Sequence, residues 1–256
     1  MIEKVVEQPG GYLNMTHAKL NPSDQAAHPS RLIVALDVSS FEEMKVIVET
    51  IGENVGIYKI GHQLFTAQGP KALVYLKEQK KAVFLDAKLH EIPNSVAAAV
   101  KEAAIHGVKM ITVHASGGKK MMQAAVEAAK PFPDLHILAL TVVTGLSDQD
   151  LREIGFTLSH EALVVHLAKL AKESGCHGVI ASPKEVQLIR EQLGNDLLVV
   201  TPGVRPADAA QDDQYRIATP KQAIQNGASY IVVGRPIVKA NNPAEAAKAI
   251  LAEMSG

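Results

Sequence analysis

Tryptophan is absent from the 256 residues, cysteine occurs once, and phenylalanine and tyrosine number five each. A single thiol, Cys176, excludes an internal disulfide framework and cannot by itself build a cysteine-based metal site. Set in Gly-Cys-His-Gly ahead of an apolar run, it reads as a small core thiol rather than a nucleophile. No apolar run approaches the roughly 18 residues of a membrane span. The first 30 residues contain no apolar h-region of the kind a signal peptide requires. An excess of either charge is missing too. Lys and Arg number 26 against 27 Asp and Glu, a formal net charge of -1, which gives no electrostatic basis for binding nucleic acid or membrane. A soluble cytoplasmic protein is the expectation.

What is present is a repeated figure of a short apolar run followed by a helical segment. Residues 1–30, with Gln8-Pro-Gly-Gly, Asn21-Pro-Ser and His28-Pro-Ser, are polar and turn-rich and read as an N-terminal arm outside the core fold. From residue 31 the apolar runs are Arg31 to Asp37, Val55 to Ile60, Lys81 to Asp86, Gly107 to His114, Leu135 to Val142, His177 to Ala181, Leu197 to Thr201 and Ser229 to Val233. Segments with helical spacing lie between them, among them Asn94 to Ala104 and Ser159 to Ser174, and Ser39-Ser-Phe-Glu-Glu opens a helix with acid in its first turn. Strands alternating with helices predict a parallel β/α fold. Eight units in about 225 residues suit a closed (β/α)8 barrel over residues 31–256, with no second domain.

Polar side chains recur at the C-terminal ends of the runs: Asp37, Lys59, Asp86 with Lys88, His114, Thr141 with Thr144, Thr201 with Arg205, and Gly234 with Arg235. In a barrel that end is the active-site face. The densest stretch is Val83-Phe-Leu-Asp-Ala-Lys-Leu-His-Glu-Ile-Pro-Asn-Ser95. Asp86 and Lys88 are two apart, so on a strand they share a face. Glu91 follows where the chain leaves the strand, and Pro93-Asn94 reads as a break. An isolated Asp-x-Lys is ordinarily a capping ion pair. Here it recurs with Asp37 and Lys59, giving two acids and two amines at three adjacent strand ends, where alternating charges hold each other ionised. A Schiff base on Lys59 or Lys88 would need a neutral amine, which the carboxylates disfavour. Zinc-ligand spacing, HExxH and a Walker loop are absent, and a Ser-His-Asp triad has no support.

Gly203 and Arg205 after the seventh run, and Gly234 and Arg235 after the eighth, lie where this fold commonly binds phosphate. Glycine lets backbone N–H groups approach the anion, and arginine adds a forked, charge-assisted grip. The long irregular stretch from Pro202 to Arg216 reads as a lid or binding loop. Lys119-Lys120 read as the start of a helix, and Met121-Met122 as core or interface.

Phe84-Leu-Asp-Ala-Lys-Leu-His-Glu-Ile-Pro-Asn-Ser-Val96 resembles the signature of the orotidine 5′-phosphate decarboxylase family. The resemblance continues through Leu36-Asp37, Tyr58-Lys-Ile-Gly61, Val113-His-Ala-Ser-Gly-Gly118, Val200-Thr-Pro-Gly-Val-Arg205, Asp212-Asp-Gln-Tyr-Arg216 and Val233-Gly-Arg-Pro236, in family order. It implies conversion of orotidine 5′-phosphate to uridine 5′-phosphate and CO2, the last step of pyrimidine synthesis, without metal or organic cofactor. By the same resemblance Lys88 is the proton donor and Asp86 sits against the departing carboxylate. Lys59 and Asp37 bind the ribose hydroxyls, and Thr144 the pyrimidine edge. Arg205, Gln214, Gly234 and Arg235 hold the phosphate, with Gln214 on the lid. The family is a homodimer in which the acid at position 91 reaches the neighbouring subunit's site. That acid is aspartate in the family pattern, so Glu91, one methylene longer, is expected to lower activity unless neighbouring backbone compensates. His90 and His114, at family positions, read as packing and hydrogen-bonding residues.

Two other readings compete. A group of phosphosugar decarboxylases and aldolases shares a D-x-K-x-x-D signature, uses Mg2+ and carries an acid where this chain has Lys59. The other is a phosphate-ligand binding barrel whose catalysis has lapsed, with Glu91 as the symptom.

Overall fold

A computed structural model describes residues 31–206 and 218–255. The strands are β1 (Leu32–Ala35), β2 (Ile57–Ile60), β3 (Ala82–Leu89), β4 (Met110–His114), β5 (His136–Leu140), β6 (Gly178–Ile180), β7 (Leu198–Thr201) and β8 (Tyr230–Val233). All pair in parallel, each with its sequence neighbours, and β1 closes on β8 through Ile33 opposite Val232. The architecture is a (β/α)8 barrel, as the alternation predicts. The proposed N-terminal arm, residues 1–30, lies outside the described residues, as does Gln214 with the rest of residues 207–217.

The helices between strands are α1 (Phe41–Ile51), α2 (His62–Gln68), α3 (Pro70–Glu78), α4 (Pro93–Ile105), α5 (Gly118–Ala129), α6 (Asp148–Glu153), α7 (His160–Glu173), α8 (Val186–Leu193), α9 (Pro220–Gln225), α10 (Arg235–Val238) and α11 (Pro243–Ser255). Their starts follow local chemistry. Ser40, Ser147, Ser159 and Thr219 each accept a backbone N–H of the first turn, satisfying a donor that has no partner inside the helix. The break read at Pro93-Asn94 is the first turn of α4, where a proline costs nothing because its missing N–H would be unpaired anyway.

Alternation along each strand divides the core in two. One set, including Ile33, Phe84, Leu138, Leu140, Ile180, Val200 and Val232, fills the barrel interior. The other, including Val34, Tyr58, Leu85, Ile111, Ile137, Val179 and Ile231, packs outward against the helices. Each such aliphatic side chain contributes about 1.5–3 kcal/mol by leaving water. Gly178 on β6 has no room for a side chain, since a Cβ there would lie 2.6 Å from Leu198 Cβ and 2.8 Å from Leu138 Cδ2. Cys176 is buried, and burial pushes its thiol up to about 12, so it is an inert core group. Among the described residues no helix is long and apolar enough to cross a membrane.

Candidate active site

Above the apolar filling, at the C-terminal ends of the strands, a cavity of about 250 Å3 opens. Asp37, Lys59, Asp86 and Lys88, at the ends of β1 to β3, line it together with Gly203, Arg205, Gly234 and Arg235, after β7 and β8. Thr144, on the loop after β5, lines it as well. Nine of the ten site residues predicted from the sequence can be located. Glu91 is the one of these nine that does not line the cavity, and Gln214 lies outside the described residues.

The charged side is a chain of alternating sign. Lys59 Nζ lies 3.0 Å from Asp37 Oδ1 and 3.8 Å from Asp86 Oδ2, and Lys88 Nζ lies 2.6 Å from the same Asp86 oxygen. Lys59 is buried, pointing into the barrel between Ala35 and Phe84, which flank it in the sheet register. Burial alone would raise the Asp86 pKa, but the charges of Lys88 and Lys59 and hydrogen bonds from Lys88 and Thr112 outweigh it, and the carboxyl is held below its ordinary value. Asp86 is therefore an anion at neutral pH. Both amines of the chain meet carboxylates rather than apolar walls.

Strand β3 is not regular where it carries this pair. Leu85 pairs with Ile111 and Leu89 with Val113, so four steps along β3 match two along β4. The residues between bulge out opposite Thr112, and Lys88 takes φ +46°, a left-handed conformation that side chains disfavour. The Lys88 N–H, turned off the sheet ladder, donates to Thr112 Oγ1 at 2.8 Å, and the Thr112 hydroxyl donates to Asp86 Oδ1 at 2.9 Å. Thr112 was not singled out in the sequence. Its signal was a lone hydroxyl inside the apolar run Met110–His114, two residues before His114 and so on the same face.

The other predicted residues divide by strand parity. Leu140 and Val200 point into the barrel, so Thr141 and Thr201, the next residues along, point outward. Thr141 donates to the Ile180 carbonyl instead of lining the cavity. His114 stacks on His90, ring centroids 5.1 Å apart, and burial, then His90 and Lys88, lower its pKa. Glu91 is exposed, and its Oε1 accepts the N–H of Ile92 at 2.8 Å, so within one chain it does not join Asp86 and Lys88.

After β7 and β8, Arg205 is buried and Arg235 exposed at the start of α10. The Arg205 N–H donates to the Ala218 carbonyl, and Val204 bridges Ala218, so the chain leaving after β7 is clasped where it returns. Among the described residues no three His, Cys, Asp or Glu side chains converge on a point suited to a metal ion.

A model of the orotidine 5′-phosphate decarboxylase / HUMPS family matches residues 30–250. The chain is 49% identical over 229 residues to an orotidine 5′-phosphate decarboxylase of Geotalea daltonii, covering 88% of this chain and 96% of the relative. It is 47% identical to one of Geobacter sulfurreducens, covering 90% and 98%. The crystal structure of the enzyme of that name from Lactobacillus acidophilus superposes with a TM-score of 0.79 at 39% identity, covering 88% of this chain and 99% of that one. The corresponding structure from Pyrococcus horikoshii gives 0.71 at 27% identity, covering 88% and 99%.

Proposed function

Because this chain belongs to the orotidine 5′-phosphate decarboxylase / HUMPS family, we propose that it converts orotidine 5′-phosphate to uridine 5′-phosphate and CO2. The observation that carries the reading is the alternating chain of Asp37, Lys59, Asp86 and Lys88 lining one cavity with Arg205 and Arg235.

In this reading the phosphate rests on the loops after β7 and β8, held by Gly234, Arg205 and Arg235, with Gln214 closing from the lid. Asp37 and Lys59 take the ribose hydroxyls and Thr144 the pyrimidine edge. The substrate carboxylate then lies against Asp86. Two anions side by side repel, and the repulsion eases as the C–CO2 bond breaks and charge moves into the ring. The departing CO2 leaves its electron pair on the ring carbon, in the ring plane, where conjugation does not spread it. The Lys88 ammonium stabilises that pair as it develops and then gives it a proton, and water restores the amine to its charged form. Binding energy from the distant phosphate helps to order these groups about the reacting carbon.

We further propose a homodimer in which Glu91 reaches the partner's site. Support comes from Glu91 and its neighbour Ile92, 61% exposed, at the tip of the segment joining β3 to α4. The Mg2+-dependent phosphosugar reading fits less well. Where that group carries an acid, this chain has Lys59, whose ammonium is engaged by Asp37 and Asp86.

The test is the ultraviolet decay of orotidine 5′-phosphate with wild type and with Lys88→Ala, each with and without EDTA. Decay by the wild type, unaffected by EDTA and lower in the variant by about 10^3-fold or more, is expected. Loss of activity in EDTA would revive the phosphosugar reading. Nucleotide binding without CO2 release would establish a lapsed barrel.

A further inference from the structure

The bulge in β3 sets a problem that one side chain on β4 solves. A regular strand would pair each N–H with its neighbour's carbonyl, yet two extra residues between Leu85 and Leu89 take the Lys88 N–H off that ladder. Lysine at φ +46° is also unfavourable on steric grounds. Such a conformation persists only where its surroundings hold it, and where it occurs beside reacting groups it points to function. What holds it here is Thr112, fully buried, whose oxygen accepts the Lys88 N–H and whose proton is thereby directed to Asp86 Oδ1.

We propose that Thr112 is a positioning residue for decarboxylation, fixing through one hydroxyl both the backbone that aims the Lys88 amine and the rotation of the Asp86 carboxylate. The inference rests on the roles given to Asp86 and Lys88 above. The two hydrogen bonds are coupled, because a hydroxyl has one proton. While it accepts from Lys88 the hydroxyl keeps its proton to donate, and Asp86 Oδ1, 2.9 Å away, receives it, best when ionised. With Oδ1 taken by Thr112, Oδ2 is the oxygen turned to Lys88 and Lys59. A hydroxyl is needed for this, and a hydrocarbon of the same shape cannot substitute. A misplacement of about 1 Å at a reacting group is enough to cost about 100-fold in rate.

The sign of a pH effect follows. The groups facing Asp86 are Lys88 on its own strand, Lys59 on β2, and Thr112 and His114 on β4, with Asp37 beyond Lys59 and His90 and His62 beyond His114. Removing the Thr112 hydroxyl deletes a hydrogen bond to the ionised carboxylate and leaves both ammonium groups, so protonation of Asp86 becomes easier and the acid limb moves to higher pH.

The experiment compares Thr112→Val, close in shape and at home in a strand, with Thr112→Ser, which keeps the hydroxyl. Asp86→Asn and Lys88→Ala serve as references, and circular dichroism verifies the fold of each. Expected for Thr112→Val is a kcat lower by about 10- to 100-fold with KM within about threefold. The acid limb of its kcat/KM profile should rise by about half a pH unit to one unit, and Thr112→Ser should recover most of both. A Thr112→Val enzyme with kcat within about twofold of wild type and an unmoved acid limb overturns the proposal. So does equal loss in the valine and serine variants with the limb unmoved, which would mark a packing role. If Asp86→Asn and Lys88→Ala both keep the wild-type rate, the assignment of the reacting pair falls and the role of Thr112 falls with it. If those two lose activity and Thr112→Val does not, only the role of Thr112 falls.

Discussion

The ammonium of Lys88 lies 2.6 Å from Asp86 Oδ2, so two residues of one strand hold opposite charges at hydrogen-bonding distance. The pair is partly withdrawn from water, with 14% of the Asp86 side chain exposed and 29% of that of Lys88. Removing one partner leaves the other charge in a poor solvent, a larger loss than the pair's net contribution.

Asp86→Asn should therefore weaken the fold as well as the reaction. The carboxyl's folded pKa lies below the ordinary 3.8. Its contribution to stability is present above that ordinary value and is lost as pH falls through the lowered one. Thermal unfolding at pH 7 should show the variant less stable by on the order of 2 kcal/mol, with the deficit shrinking below the ordinary carboxylate range. A deficit that does not change between neutral and strongly acidic pH would contradict this.

Gly61 bears on the position of Lys59. A Cβ there would lie 2.9 Å from Lys59 Nζ and 3.4 Å from Asp37 Oδ1. The lysine end is flexible, so Gly61→Ala should fold but move the amine. We expect kcat/KM for orotidine 5′-phosphate to fall by about 10- to 100-fold with little change in Tm. An unchanged kcat/KM would show that the amine has another productive place to go.

If Glu91 serves the neighbouring subunit, two inactive homodimers can rescue each other. In a heterodimer of Lys88→Ala with Glu91→Ala, one site carries both lesions and the other neither. Random mixing makes half the dimers hybrid, so recovery of about a quarter of wild-type activity is expected. Absence of recovery, with hybrids verified by mass, would place Glu91 outside the partner's site. Glu91→Asp alone should raise turnover, since it restores the shorter side chain of the family pattern.

At the opposite end of the barrel, His177 Nδ1 accepts the Ile137 N–H, and burial, with His136 beside it, pushes the His177 pKa down to about 4. The folded protein thus keeps this ring neutral where the unfolded chain protonates it at about 6.5. The unfolded state binds the extra proton between those values, so stability should fall as pH drops from 6.5 toward 4. The loss is roughly 2–3 kcal/mol. His177→Asn, which retains an acceptor, should flatten that part of the Tm-against-pH curve. Parallel curves for the two proteins would refute the assignment.

Much of this site could be read from residue order, because the barrel turns strand parity into position. Asp37 and Lys59 stand at strand ends where inward alternation puts them in the mouth, and Ser40 and Ser159 mark helix starts by their chemistry. Nearness to a strand end alone puts Thr141 and Thr201 among the mouth residues, but Leu140 and Val200 before them take the inward phase. Simple alternation predicts that Asp86 and Lys88 meet. They meet across a bulge with Lys88 left-handed, and a backbone dihedral leaves no mark in a sequence whose residue there is not glycine. Thr112 escaped notice for the same reason, since its partner is the N–H that the bulge turns aside.

The side chains that fill the barrel beneath the charged groups, from Ile33 and Phe84 to Val200 and Val232, are 0–8% exposed. They close the rear of the chamber, since a filled barrel interior is a packed core and not a pore. On the reading proposed above, gas and nucleotide therefore both leave toward the C-terminal ends of the strands. The CO2, released beside Asp86 and Lys88, has to pass a product held at its phosphate or follow it out.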